Sequence, residues 1–250
     1  MRRLIISGAC GRMGRWVADQ SKAFNFDVVC GIDPNGEKYA DFPIYKSFDD
    51  VPHKADVLID FSLPAAFSAL SKYIEENNIP SVLCATGYDE SQENTIKLLS
   101  QKTAIFRSRN MSMGVFVLEQ LSKYAKKLLN GYDVEIIEWH HNKKADSPSG
   151  TALSLYEAIK DDDNRLVMGR NESSGKREPK DIGMHSLRGG SVTGKHEISF
   201  FGDGESISIS HNAENRGIFA QGALKAAGFL LNKPAGLYSM NDYFNDIKNA

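Results

Sequence analysis

Short, continuous apolar runs alternate with helix-like segments over the first 110 residues. The apolar runs lie at 4–6, 27–32, 56–61, 80–84 and 104–106, and the segments with helical spacing lie at 12–23, 64–77 and 92–100. Strands that are buried on both faces have this uninterrupted apolar character, and the helices between them form the crossovers of a parallel sheet. The pattern therefore predicts a Rossmann-type, doubly wound α/β domain whose ligand crevice lies beyond the carboxyl ends of the strands.

The pattern changes after residue 110. It predicts a helix at 112–129, a strand at 134–139 and a helix at 149–160, followed by a hairpin whose strands are 196–201 and 206–210. Residues 161–192 are polar and rich in glycine, which predicts a mobile surface loop. We expect an α+β domain with an open mixed sheet, mostly antiparallel. Its apolar face is covered either by the helices 112–129 and 149–160 or by another subunit.

The last predicted helix, residues 217–231, returns to an alanine-rich composition. We expect this segment to pack back against the first domain. The sequence then divides into an α/β domain of residues 1–110 and 217–250 and an α+β domain of residues 111–216.

Composition narrows the classes of partner. The 250 residues are 41% hydrophobic and 25% charged, with a formal net charge of −2, so no bulk charge attracts nucleic acid or an anionic membrane. The first residues have too few apolar positions for a signal peptide or a membrane span, which predicts a cytoplasmic protein. Cys10, Cys30 and Cys84 each lie in or beside an apolar run, and we expect neither a disulfide nor a metal site. A small molecule is the expected partner.

A glycine-rich loop joins the first strand to the first helix. It reads Gly8-Ala9-Cys10-Gly11-Arg12-Met13-Gly14, and its backbone N–H groups and the positive helix end could receive a pyrophosphate. The spacing differs from the usual Gly-x-Gly-x-x-Gly, and a mere tight turn is the alternative. Asp33 lies 19 residues after Gly14, at the end of the second strand, where a carboxylate accepts both ribose hydroxyls of a dinucleotide.

The same aspartate bears on the choice of cofactor. Its charge would repel the 2′-phosphate of NADPH, and Pro34 follows it where an arginine would help. We therefore favour NADH, with NADPH accepted if Arg12 or Lys38 supplies a counter-charge. Two further segments end strands at the same crevice, namely Thr86-Gly87 and Ser108-Arg109-Asn110, although ordinary loop turns would look the same.

A cluster of reactive side chains follows strand 134–139. The run from Glu138 to Ala152 reads Glu-Trp-His-His-Asn-Lys-Lys-Ala-Asp-Ser-Pro-Ser-Gly-Thr-Ala. Adjacent residues at a strand end point to opposite faces, so His140 and His141 cannot serve one reacting atom in the same way. Lys144 adds a positive charge beside imidazoles that exchange protons near neutral pH.

The end of this run predicts a helix start. Ser147 is the expected N-cap with Pro148 as the first helical residue, which leaves the N–H groups of Ser149, Gly150 and Thr151 to bind an anion. A carboxylate held beside an imidazole suits hydride addition to a carboxylated C=N or C=C system, in which the neighbouring carbon needs a proton.

Other chemistry fits the run less well. A metal site of His140, His141 and Asp146 lacks the usual ligand spacing. Ser149 as a nucleophile would require the Gly-x-Ser-x-Gly elbow, which is absent. A nucleotide-sensing protein without turnover, or a dehydrogenase of another amino or keto acid such as aspartate, are the remaining alternatives.

These motifs together closely resemble the 4-hydroxy-tetrahydrodipicolinate reductase family, also called dihydrodipicolinate reductase, of bacterial lysine and diaminopimelate synthesis. The resemblance covers nearly the whole chain, and its most specific part is His-His-x-x-Lys-x-Asp-x-Pro-Ser-Gly-Thr-Ala. It implies a Rossmann domain, a substrate domain whose open sheet makes a homotetramer, and reduction of a cyclic dicarboxylate by NADH or NADPH.

The resemblance also implies roles for single residues. His140 matches the family's proton donor and Lys144 its catalytic lysine. His141, Gly150 and Thr151 match positions that hold the substrate carboxylates, and Arg216 matches a basic residue where the chain returns to the first domain. The positions that match the cofactor site are Gly8, Ala9, Cys10, Gly11, Arg12, Met13, Asp33, Cys84, Ala85, Thr86, Ser108, Arg109, Asn110 and Met111.

Two departures from the family pattern concern the cofactor. Cys84-Ala85-Thr86-Gly87 replaces a commoner Gly-Thr-Thr-Gly, which removes a glycine and a hydroxyl near the expected nicotinamide position. Leu63 stands where some relatives carry arginine, so a phosphate contact is missing and NADH is favoured further. Neither departure touches the catalytic run.

Overall fold

The computed structural model describes residues 1–52 and 54–248, and it forms two compact units. The first unit consists of Met1–Ser112 and Arg216–Ala250, apart from the residues outside the described ranges, and the second of Met113–Asn215. The strands are β1 (Arg2–Ser7), β2 (Phe26–Ile32), β3 (Ile44–Tyr45), β4 (Val57–Asp60), β5 (Ser81–Leu83), β6 (Ala104–Arg107), β7 (Asp133–His140), β8 (Arg165–Met168), β9 (Asp181–Arg188), β10 (Gly194–Phe201), β11 (Ser206–Ala213) and β12 (Gly236–Tyr238). The helices are α1 (Arg12–Gln20), α2 (Phe67–Asn77), α3 (Glu90–Ser100), α4 (Met113–Leu128), α5 (Gly150–Ile159), α6 (Gly217–Leu230) and α7 (Met240–Lys248).

The first unit is built on a seven-stranded parallel sheet of the Rossmann type. Its strand order is β12-β6-β5-β4-β1-β2-β3, and each neighbouring pair is parallel. The central strand β4 is completely buried, which explains its uninterrupted apolar sequence. The predicted doubly wound fold is therefore confirmed, although β3, β12 and α7 were not predicted.

Helices cover both faces of this sheet. Side chains of α2 and α3 join the apolar core of β1, β4, β5 and β6 on one face. On the other face, α6 packs against α1 and against strands β4, β5 and β6, as its alanine-rich sequence predicts. Close approach depends on small residues, since a Cβ at Gly222 would lie 1.6 Å from the carbonyl oxygen of Met111.

The second unit is built on a five-stranded mixed sheet with the order β11-β10-β7-β9-β8. β10 is antiparallel to β11 and β7, whereas β7, β9 and β8 run parallel to one another. The expectation of a mostly antiparallel sheet is therefore wrong, because β8 and β9 lie in residues 161–192, which we predicted as a mobile loop. These two strands were not predicted because much of their sequence is polar. Buried Asp181 of β9, for example, forms ion pairs with Arg165 and Arg170 in place of apolar contacts.

One face of this mixed sheet is covered by helices of the same unit. Residues of α4 and α5 pack on Val134 and Ile136 of β7, which settles the choice between these helices and another subunit. Burial alternates along β7, so Glu138 and His140 point to the same covered side. We call the opposite side the open face. It carries Glu135, Ile137 and Trp139, which are half-buried.

Among the described residues, no helix is long and apolar enough to cross a membrane.

Candidate active site

The glycine loop of the first unit is held in a shape that side chains would prevent. Gly8 has φ +75°, and a Cβ on it would lie 2.8 Å from the backbone of Phe61 and Ser62. A Cβ on Gly14 would lie 2.3 Å from the carbonyl oxygen of Gly8. Helix α1 starts after Gly11 without a side-chain cap and without an acidic residue in its first turn. Its N-terminal N–H groups therefore suit the pyrophosphate of a dinucleotide.

Asp33 is tied to this loop. Its Oδ2 accepts the N–H of Cys10 at 3.0 Å and its Oδ1 accepts the N–H of Asn35 at 3.1 Å, and the residue is buried. A carboxylate has about four lone-pair sites, so these two bonds leave acceptor capacity for ribose hydroxyls. The residues present thus fit a dinucleotide, whereas Arg12 and Lys38, the two candidate counter-charges, are exposed.

The remaining predicted cofactor residues follow strands of the same parallel sheet. Cys84-Ala85-Thr86 comes directly after β5, and residues 108–111 follow β6. Cys84, Ala85 and Met111 are buried, whereas Thr86 and Arg109 are exposed. Ser108 donates its hydroxyl proton to the carbonyl oxygen of Asn110 at 2.8 Å, which gives this turn a fixed shape. Because parallel strands end at one edge of a sheet, these segments lie at the edge that also carries the glycine loop and Asp33.

His140 of the second unit is the last residue of β7 and is held by a buried ion cluster. Its Nδ1 makes a hydrogen bond with Oε2 of Glu138, two residues earlier on the same strand. Arg188, the last residue of β9, donates Nη1–H to Oε2 of Glu138 at 3.0 Å and Nη2–H to Oε1 at 2.9 Å. The parallel register pairs His140 with Arg188, which brings residues 48 positions apart into one site.

Burial and hydrogen bonding compete in this cluster. Burial opposes ionisation of Glu138, but hydrogen bonds from Arg188, Ser186 and His140 outweigh it, and the pKa of Glu138 lies below its ordinary value. Burial also lowers the pKa of His140, although the hydrogen bond with Glu138 acts in the opposite direction. The imidazolium form of His140 is therefore lost at a lower pH than that of an ordinary histidine.

Helix α5 starts at a different residue from the one predicted. Its N-cap is Ser149, whose hydroxyl accepts the N–H of Ala152 at 3.2 Å, so the predicted N-cap at Ser147 and helical start at Pro148 are wrong. The physical reason is the N–H of Ser149, which donates to Oε1 of buried Glu138 at 3.2 Å and keeps residue 149 extended. That N–H is therefore not available to an anion.

Ser149 also contacts a second histidine. Its hydroxyl lies 3.0 Å from Nε2 of His196, a buried residue of β10. The two histidine rings meet edge to face, with 5.2 Å between the centroids of His140 and His196. Burial lowers the pKa of His196 to about 4, so this imidazole is neutral near pH 7.

Lys144 lies in the loop between β7 and α5 with little exposure. Its Nζ is 2.8 Å from Oδ2 of Asp146, and its N–H donates to the carbonyl oxygen of His141 at 3.1 Å. Asp146 is exposed, so its carboxylate can yield this cation to a competing anion. His141 is half-buried, as is Thr151 in the first turn of α5.

Two other predicted site residues have defined positions. Gly150 is exposed, and a Cβ on it would meet no atom within 4 Å, which leaves open space at the start of α5. Arg216 belongs to the first unit, where it is half-buried and immediately precedes α6.

Trp139 lies on the open face of the sheet, where it contacts a lysine. Its ring lies 4.4 Å from Nζ of Lys195 on the neighbouring strand β10, a cation–π contact on the side of the sheet opposite His140.

Three residues that contact the predicted site were missed by the sequence reasoning, namely Glu138, Arg188 and His196. Glu138 had a usable signal, since a residue two positions before His140 on a strand shares its face. Arg188 had no such signal, because its strand β9 was predicted to be a loop. Within the described ranges, no three His, Cys, Asp or Glu side chains are grouped so that they could hold a metal ion.

Comparison with known proteins identifies the family. Residues 2–111 match the family model described as dihydrodipicolinate reductase, N-terminus, and residues 114–244 match the model described as dihydrodipicolinate reductase, C-terminus. The 4-hydroxy-tetrahydrodipicolinate reductase of Clostridium tetani is 43% identical over 250 residues, which cover 98% of each chain. That of Caldanaerobacter subterraneus subsp. tengcongensis is 45% identical over 246 residues, which cover 97% of this chain and 98% of the relative.

Solved structures share the fold. The dipicolinate-bound dihydrodipicolinate reductase from Paenisporosarcina sp. TG-14 has a TM-score of 0.79 at 24% identity, covering 96% of this chain and 97% of its own. An aspartate dehydrogenase from Thermotoga maritima has a TM-score of 0.54 at 13% identity, covering 93% of this chain and 98% of its own. Both likenesses concern the fold alone, whereas the family models and the curated relatives match the sequence itself. The chain therefore belongs to the dihydrodipicolinate reductase family.

Proposed function

We propose that this protein reduces 4-hydroxy-tetrahydrodipicolinate to tetrahydrodipicolinate with NADH or NADPH, in the synthesis of lysine and diaminopimelate. The observation that carries the proposal is the second unit's site, in which His140 is anchored by Glu138 while Lys144 and the start of α5 follow on the same loop. A dehydrogenase of another amino or keto acid would share the Rossmann unit but would not need this run. A sensor without turnover would not need an anchored imidazole.

The chain's own residues supply a proton and hold anions. Bound reduced nicotinamide would supply the hydride, which adds to ring carbon C4 after or with loss of the hydroxyl group as water. His140 gives its Nε2 proton to the neighbouring ring carbon, whose new C–H bond uses the electron pair displaced by hydride addition. Lys144, His141, Gly150 and Thr151 bind the substrate carboxylates, with Arg216 as a further cation. Ser149 contributes by capping α5, since its N–H and hydroxyl are already bonded.

The first unit binds the cofactor in this proposal. The glycine loop holds the pyrophosphate, and Asp33 accepts the ribose hydroxyls. NADH is the favoured cofactor, because the buried carboxylate of Asp33 opposes a 2′-phosphate and both candidate counter-charges are exposed.

A cytoplasmic homotetramer completes the proposal. The open face of the second unit carries half-buried Ile137 and Trp139 beside charged Glu135, and further copies of the chain would cover it. A solution mass of four chains, measured by sedimentation, is expected; a monomeric mass would contradict it.

The proposed activity is tested by generating the substrate in place, from pyruvate and aspartate semialdehyde with the preceding synthase of the pathway. Oxidation of NADH and NADPH is followed with the wild type and with His140→Gln. Rapid oxidation that the variant loses supports the reductase and its proton donor. Cofactor binding without oxidation would favour the sensor.

A further inference from the structure

We propose that Glu138 and Arg188 form a positioning clamp that holds the Nδ1 proton of His140 and thereby directs its Nε2 toward the substrate. The catalytic consequence rests on the proposed function, whereas the geometry of the clamp does not. Neither residue is a catalytic residue in this proposal, because neither touches substrate.

The hydrogen bonds of Glu138 determine which nitrogen of His140 carries the proton. Its side chain is fully buried, with an exposure of 0%. Oε1 accepts from Arg188 and from the N–H of Ser149, and Oε2 accepts from Arg188 and lies against His140 Nδ1. An ionised carboxylate only accepts hydrogen bonds, so Nδ1 must be the donor. Neutral His140 therefore carries its proton on Nδ1, and a second proton enters and leaves at Nε2.

Arg188 keeps this carboxylate ionised and in place. Its two Nη atoms contact both oxygens of Glu138, the bidentate geometry that suits a guanidinium. Nη1 also donates to the carbonyl oxygen of Leu187 at 2.8 Å, and Nη2 donates to that of Asp146 at 2.8 Å. The second of these bonds joins the clamp to the loop that carries Lys144. A single arginine thus orients the proton donor and fixes the loop of the proposed anion-binding lysine.

The charges around His140 come from four segments. Glu138 on β7 favours the imidazolium, whereas Arg188 on β9 and Lys144 in the following loop disfavour it. His196 on β10 meets the ring edge to face but directs its Nε2 to Ser149, so it makes no hydrogen bond with His140. Glu138 is accordingly the anion in direct contact with the donor ring, and removing its charge should make the imidazolium harder to form.

The other end of the His140 ring faces a glycine, Gly194 of β10. A Cβ on Gly194 would lie 3.1 Å from Nε2 of His140, closer than most side-chain contacts. With Nδ1 bonded to Glu138, Nε2 is the nitrogen that can reach a ligand.

The balance of the proton step follows from this arrangement. The Nε2–H bond of the imidazolium breaks, and the proton forms a C–H bond with the electron pair that hydride addition has displaced onto the neighbouring ring carbon. His140 is left as the neutral ring with its proton on Nδ1, still bonded to Glu138. Solvent then restores the Nε2 proton.

Nuclear magnetic resonance of the full-length protein labelled in its histidines tests the clamp without reference to activity. The His140 signals are assigned from their loss in His140→Gln. The clamp predicts that neutral His140 in the wild type is the Nδ1–H form and that Glu138→Gln lowers its titration midpoint by about one pH unit. The matched control is Glu135→Gln, which removes a carboxylate that pairs with His185 on the open face. It should leave the His140 midpoint unchanged.

The pH profile of kcat/KM supplies the functional readout. A proton donor loses activity as pH rises through its pKa, so in Glu138→Gln the falling limb should move to lower pH by the same interval. Arg188→Lys keeps the charge and should keep the Nδ1–H form, with reduced kcat because the two-point contact is lost.

The outcomes separate the two proposals. Neutral wild-type His140 in the Nε2–H form overturns the clamp even if no variant folds, and an unchanged His140 midpoint in folded Glu138→Gln also overturns it. If the resonances behave as expected but the wild type oxidises neither cofactor, the clamp stands and the proposed reductase activity fails.

Discussion

The hydroxyl of Ser149 lies 3.0 Å from Nε2 of His196, which joins the N-cap of α5 to a buried histidine of β10. The same hydroxyl accepts the N–H of Ala152. One small side chain therefore satisfies a helix end and a buried ring nitrogen at once. His196 depends on this contact, because its Nδ1 is buried without a hydrogen-bond partner.

Replacing Ser149 should destabilise the second unit. Ser149→Ala removes the cap, which costs roughly 1 kcal/mol, and leaves Nε2 of His196 without a partner, which costs about 1–3 kcal/mol more. Urea unfolding followed by circular dichroism measures the change in the free energy of unfolding. Ser154→Ala, in the same helix and half-buried, is the matched control and should change it far less. Equal effects of the two substitutions would contradict the double role of Ser149.

The free energy of unfolding should decrease as the pH is lowered, because of His196. Its pKa is about 4 in the folded protein and about 6.5 in the unfolded chain. Below pH 6.5 the unfolded chain therefore binds a proton that the folded protein excludes, so the free energy of unfolding decreases as pH drops toward 4.

The loss attributable to His196 is about 2 kcal/mol between pH 7.5 and pH 5. The measurement is the free energy of unfolding at both pH values for the wild type and for His196→Gln, whose side chain cannot take up a proton. The variant should lose less stability on acidification by about that amount. An identical loss in both proteins would show that His196 does not cause the effect.

Lys144 should contribute to substrate binding through its charge. Lys144→Ala removes a charge-assisted hydrogen bond, which corresponds to about 10- to 150-fold in kcat/KM. Lys143→Ala, at the exposed neighbouring position, provides the matched control and should retain nearly full activity. Full kcat/KM in Lys144→Ala would remove this lysine from the site.

Asp33 should set the preference between the two cofactors. Asp33→Asn removes the charge that opposes a 2′-phosphate and should lower the ratio of kcat/KM for NADH over NADPH about tenfold, in line with one charge-assisted contact. Asp19→Asn, exposed on α1, should leave the ratio as it is in the wild type. If Asp33→Asn leaves the ratio unchanged, the preference is set elsewhere.

The sequence predicted the Rossmann unit because its strands are buried on both faces and therefore read as apolar runs. Strand β4, with every residue buried, shows this most clearly. In the second unit, β9 contributes Ile182 and Met184 to the apolar core but is also held by ion pairs, which an apolar pattern does not reveal. Asp181 is buried yet pairs with two arginines, and a Cβ at Gly183 would lie 1.7 Å from Oε2 of Glu135. Such a strand looks like a loop.

The site was predictable only in its local part. His140, Lys144 and the helix start lie within a dozen residues of one another, so their chemistry can be read from the run itself. Arg188 reaches Glu138 only because β9 pairs in parallel with β7, and that pairing is a property of the folded sheet. The register of strands that are distant in sequence determines this contact, and no local pattern encodes it.

In the proposed reaction, hydride is transferred to ring carbon C4 of 4-hydroxy-tetrahydrodipicolinate while a proton is added to the neighbouring carbon. The most direct measurement supplies NADH deuterated at the transferable position, generates the substrate in place, and locates the deuterium in the product by nuclear magnetic resonance. We expect one deuterium at C4 in ordinary water, and deuterium at the neighbouring carbon when unlabelled NADH is used in heavy water. A product without cofactor-derived deuterium, or with it at any other carbon, would rule out the proposed reaction.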